Sequence, residues 1–167
     1  MLKFRASTLI AFSGLVWFGA GLYLLTLGLN FLLESDNLAN SGQQVGPLLS
    51  LLSPIATYDQ GTLLIVTLGL AIGFIKGKFI FAKTVRQTVE RIVSFRPPIP
   101  LTKMYSIKYC MLLAGMMLLG MTFKFLGFSY DVRGLIDVAI GSALINGSML
   151  YFRQVLITKN QEAGSYL

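Results

Sequence analysis

The chain contains no histidine and a single cysteine, Cys110. These two absences remove His-based nucleophile–base pairs, His- or Cys-ligated zinc sites and any intrachain disulfide. Acidic residues are scarce as well, with seven Asp and Glu against fourteen Lys and Arg. No two carboxylates share a helix face at membrane depth, and no Gly-rich phosphate loop with a following Lys-Ser/Thr occurs. The segment Gly73-Phe-Ile-Lys-Gly-Lys78 reads as helix and not as a Walker loop. Catalysis is therefore not expected, and neither a cofactor nor a metal centre is implied. Charged residues of both signs make up only 13% of the 167 residues, where a soluble domain carries about 25%. Too little polar surface is present to cover a soluble core.

Apolar residues fill the space that charge leaves. Mean hydropathy is +0.70, and four stretches dominate, running over residues 8–33, 62–82, 105–128 and 134–157. Each reaches the roughly 20 residues that a helix needs to cross a hydrocarbon layer of about 30 Å. The expected fold is an all-α membrane protein: one transmembrane domain over residues 1–167 with four transmembrane helices. The first stretch is too long for a signal-peptide core and ends without a small-x-small cleavage site, so it reads as an uncleaved helix.

A net charge of +7 in a soluble protein would suggest nucleic acid. Here the positions of the cations explain it better. Lys3, Arg5, Lys83, Arg86, Arg91, Arg96, Lys103, Lys108, Arg153 and Lys159 flank the stretches on one side, while Lys124 and Arg133 lie near the other. Glu34, Asp36, Asp59, Asp131 and Asp137 gather on that second side. The positive-inside rule then places both termini in the cytoplasm and the protein in a cell inner membrane, with no role for nucleic acid.

The chain reads as two helical hairpins in parallel orientation. Gly14-Leu-Val-Trp-Phe-Gly19 resembles Gly115-Met-Met-Leu-Leu-Gly120, and the stretch from Ile75 to Lys83 resembles that from Ile145 to Arg153. An internal duplication would relate the halves by a pseudo-two-fold axis along the membrane normal. Between the first two helices, Gly46-Pro-Leu-Leu-Ser-Leu-Leu-Ser-Pro54 is too short to span and predicts a short helix at the outer interface or over the bundle. Val85, Val89, Ile92 and Val93 recur at helical spacing and extend the second helix to about residue 95. Arg96-Pro97-Pro98-Ile99-Pro100 ends it.

Small residues mark the expected packing faces. Gly69, Gly73 and Gly77 form one stripe, Ala139, Ala143 and Gly147 a second, and Ser7, Gly14, Gly21 and Gly28 a third with sevenfold spacing. Such stripes let backbones approach where lipid supplies no hydrophobic drive for association. The plain reading is close packing within the bundle or between subunits.

Lys76 and Lys78 are the unusual residues of the second stretch, because a Lys near the bilayer centre costs about 2.5–3.5 kcal/mol or more. Lys78 lies close enough to the cytoplasmic end to snorkel. At 100° per residue Lys76 falls about 20° from Gly69, some 9 Å deep, and its repeat partner is Asn146. Together with Tyr109 these form the candidate ligand site, for an anion or small polar solute. At the outer end, Lys124, Asp131, Arg133 and Asp137 are expected to form ion pairs around a tight turn. The sequence thus suggests a small transporter or channel subunit, in a homo-oligomer or with a larger membrane partner. The competing expectation is a non-transporting accessory protein that binds its partner through the glycine-rich faces and touches membrane lipid with its basic stretch.

Overall fold

The computed structural model describes residues 6–81, 85–87, 89–90, 122 and 125–164, and every regular element among them is helical. Helix α1 spans Ala6–Asn40, α2 Pro47–Leu52, α3 Tyr58–Lys76 and α4 Tyr130–Gly164, with a π-helical turn over Gly77–Phe81 continuing α3. Three of these, α1, α3 with its continuation, and α4, are long and apolar enough to cross a membrane. The expected span over residues 105–128 lies almost wholly outside the described residues, as does most of the extension towards residue 95.

The helices overrun the apolar stretches that announce them. Helices α1 and α4 have 35 residues each, or roughly 50 Å at 1.5 Å per residue, against a hydrocarbon layer of about 30 Å. Glu34 to Asn40 are polar for the most part but contain neither Gly nor Pro, so nothing in them stops the helix. Gly42 does. Its φ of +70° belongs to a left-handed C-terminal cap. Gly42 N donates to Ala39 O at 3.1 Å and Gln43 N to Leu38 O at 3.1 Å, which satisfies carbonyls the ended helix leaves open. Helix α3 starts four residues ahead of its apolar stretch, where Gln60 Oε1 accepts from Thr57 N at 3.4 Å as one half of a capping box.

Among the described helices α4 is the central one, with its most extensive pairing to α1 and the next to α3. The close approaches give the directions. Gly14, Gly21 and Gly28 of α1 meet Tyr151, Gly141 and Gly134 of α4, so those helices are antiparallel, whereas Gly69, Gly73 and Gly77 meet Val138, Ala139 and Ala143, so α3 and α4 are parallel. Two buried clusters sit at the two ends. One joins Leu32, Ala39, Leu49, Ile65 and Val138 beneath α2. The other joins Leu9, Ile10, Trp17, Leu144 and Tyr151 with Val85 and Val89, so the helical residues that follow the π-turn are seated in the same core as α1 and α4.

Candidate functional site

The small-residue stripes are contact surfaces inside the chain. A methyl group on Gly28 would lie 2.7 Å from Val138 N and 2.9 Å from Gly134 O, and one on Gly21 would lie 2.9 Å from Gly141 O. On α3, a methyl group on Gly69 would reach within 2.9 Å of Val138 Cγ1, and one on Gly73 would run into Ala139 O. On Gly77 it would lie 2.9 Å from Ala143 O and 3.1 Å from Asn146 Cβ. Ala143 and Gly147 are both buried on α4. Two partners were not singled out in the sequence: Gly134 and Gly141, which face Gly28 and Gly21. Their separation of seven residues repeats that of Gly21 and Gly28, and that mirrored spacing was the available signal.

Backbones this close allow polar groups to reach across. Ser142 Oγ donates to Leu70 O at 3.2 Å, tying α4 to α3. Asn146 Nδ2 donates to Ser142 O at 2.9 Å within its own helix. Ser148, fully buried on α4, donates to Ile145 O at 2.7 Å.

The structure distributes the expected ligand site unevenly. Asn146 is half-buried and lies against Gly77, whereas Lys76 and Lys78 on either side of that glycine are exposed. The reason is angular. Gly69, Gly73 and Gly77 drift around the helix, and Lys76 stands about 60° from the middle of the face they make. Tyr109 lies outside the described residues.

At the end that carries α2, polar groups are arranged differently from the expected ion pairs. Asp131, with no exposed surface, turns inward. Its Oδ2 accepts from Leu48 N at 2.6 Å and Leu49 N at 3.3 Å, and its Oδ1 from Val132 N at 2.8 Å and from the Ser129 hydroxyl. One carboxylate therefore closes the first turns of both α2 and α4, where open N–H groups favour negative charge. Gly46 is held against this carboxylate so tightly that any side chain there would overlap it. Arg133 instead sits over the Phe31 ring, 4.2 Å from its centroid. Asp137, one turn further along α4, interacts with that guanidinium electrostatically but forms no ion pair with it. Among the described residues the ion pair is Arg86–Glu90, at 2.8 Å on the surface. The expected outer ion pairs thus give way to a backbone-capping carboxylate and a cation–π contact, because open backbone N–H groups and an aromatic face lie nearer than the opposite charges. Lys124 lies outside the described residues.

Beside this cluster is a cavity of about 360 Å³, lined among others by Ser35, Gln44, Gly46, Phe128, Tyr130 and Arg133. Helix α1 ties to α3 at the same end through Asn40 Nδ2 to Asp59 Oδ1 at 3.0 Å and Thr62 Oγ1 to Asp36 Oδ1 at 3.2 Å.

The fold and these contacts define a helical protein of membrane-spanning type, assembled on glycine faces. No family model matches the chain, and no curated protein or solved structure is significantly similar to it.

Proposed function

We propose that the chain is a subunit of a small transporter or channel for an anion or small polar solute, crossing a cell inner membrane four times with both termini in the cytoplasm. The seam between α3 and α4 near Lys76 carries this reading. There Asn146 lies against Gly77, the point where α3 loosens into a π-turn. Lys76 and Lys78 flank that glycine and have no carboxylate within 4.0 Å among the described residues. Single π-turns inside helices are frequent at functional sites, because the extra residue interrupts the regular hydrogen-bond ladder. A cation at Lys76 without a counter-ion, next in sequence to the glycine that Asn146 faces, suits an anionic or polar solute, and intramembrane cations commonly mark such pathways.

The accessory-protein reading has less support. It needs glycine faces free for a partner, and Gly21, Gly28, Gly69, Gly73 and Gly77 are all covered by α4.

Uptake of phosphate, sulfate and lactate into proteoliposomes tests the proposal. Lys76→Met should bring uptake of the transported anion to background while membrane insertion and elution volume stay unchanged. Uptake that survives the substitution would remove Lys76 from the site.

A further inference from the structure

The cavity at the α2 end is lined by residues at least 29 positions in sequence from Lys76 and has no part in the site proposed above. Its chemistry is distinctive. Arg133 lines it, the guanidinium is held by a ring that offers no lone-pair acceptor, and among the described residues it has no ion pair. Phe31 is fixed in turn by Tyr130, whose ring centroid lies 5.9 Å away, and Tyr130 also lines the cavity. Neither neighbouring carboxylate forms an ion pair with the arginine. Asp131 is committed to Leu48 N, Leu49 N, Val132 N and the Ser129 hydroxyl, and Asp137 stays beyond ion-pair distance. Gln44, Ser35 and Tyr130 add polar groups that can donate. The cavity is also at a particular depth. Ser35 in its wall follows the end of the apolar stretch at Leu33 by two residues, so the cavity sits just past the segment able to lie in hydrocarbon, on the side of the polar headgroups.

We propose that this cavity binds a phosphate-bearing anion, with Arg133 as the principal donor through its planar fork. A guanidinium presents parallel N–H groups that match two phosphate oxygens, and Phe31 holds it oriented beforehand. At about 360 Å³ the cavity is at the small end of ligand pockets. It accommodates a phosphate with a small headgroup, or a free phosphate, and not a large organic ligand.

The test uses the detergent-purified full chain, as wild type, Arg133→Gln, Arg133→Lys and Lys76→Met. Native mass spectrometry measures retention of added phosphatidylglycerol against uncharged diacylglycerol, and calorimetry measures binding of inorganic phosphate. The expected result is retention of phosphatidylglycerol, binding of phosphate, or both in wild type and Lys76→Met, weakened at least tenfold in Arg133→Gln. Phosphatidylglycerol without phosphate identifies a lipid headgroup as the ligand, and phosphate binding identifies a free anion. Arg133→Lys keeps the charge, and should bind several-fold more weakly because it lacks the fork; it carries the test if Arg133→Gln fails to fold. Diacylglycerol retained as well as phosphatidylglycerol, neither probe bound by wild type, or binding undiminished in both Arg133 variants would each overturn the proposal. Because Lys76→Met is scored beside them, failure here is distinguishable from failure of the transport site.

Discussion

The carboxylate of Asp131 accepts the Leu48 N–H at 2.6 Å across 83 positions of sequence, and so joins the first turn of α4 to the first turn of α2. Helix α2 has only six residues and no side-chain cap of its own. An isolated helix of that length is not stable in water, because nucleation costs more than one turn of hydrogen bonds returns. Its order depends on two things: burial of Leu49, and the carboxylate that satisfies its first N–H groups.

Asp131→Ala should therefore loosen α2 before anything else. Hydrogen bonds to a charged group contribute about 1.5–3 kcal/mol each, and the substitution leaves the N–H groups of Leu48 and Leu49 without an acceptor. A loss of roughly 2–4 kcal/mol in denaturant titration is expected, with faster protease cleavage between residues 44 and 57. Unchanged cleavage would mean that Leu49 alone holds α2 in place.

Two glycines of α1 should respond to alanine in opposite ways. A Cβ at Gly28 would lie 2.7 Å from backbone atoms of α4, which cannot move aside, while Gly19 has nothing within 4 Å. Gly28→Ala should cost about 1–3 kcal/mol as an overpacked contact. Gly19→Ala should be neutral or gain up to about 1 kcal/mol from helix propensity. Thermal unfolding of the two variants in one detergent gives the comparison. Equal effects would deny that α1 and α4 touch at Gly28.

Ser142→Ala removes the bond to Leu70 O that crosses from α4 to α3. Such interhelical bonds in membranes average about 0.6 kcal/mol, so the change should be small. The measurable consequence is local: faster amide exchange in α3 around Leu70 and Gly73, with exchange in α1 unaltered. A global loss of protection would show that Ser142 supports more than this seam.

The helical class and the small-residue stripes could be read directly from residue order. Apolar runs of spanning length leave helix as the form that satisfies its own backbone in lipid, and Gly69, Gly73 and Gly77 recur once per turn whatever their neighbour. Helix ends were less legible. Polar residues at Glu34 to Asn40 signal departure from hydrocarbon, but a helix in water needs a stop signal, and the first one is Gly42. The partners of the polar side chains were not legible at all. Asp131 and Arg133 carry opposite charges two residues apart, and nothing local says that one turns to the backbone of α2 and the other to Phe31.

By itself, then, the order of residues determined that the chain is helical, of membrane type and able to bring backbones together along glycine stripes. These are properties of single segments, set by hydropathy and spacing. Only the tertiary structure decided that α4 is the helix shared by α1 and α3, that Asn146 opposes Gly77 while Lys76 is exposed, and that Asp131 caps a helix 82 residues away. Those outcomes depend on how far each helix is rotated about its axis and which groups are nearest once the helices meet. A difference of about 60° in rotation, invisible in a one-dimensional pattern, separates a buried lysine from an exposed one.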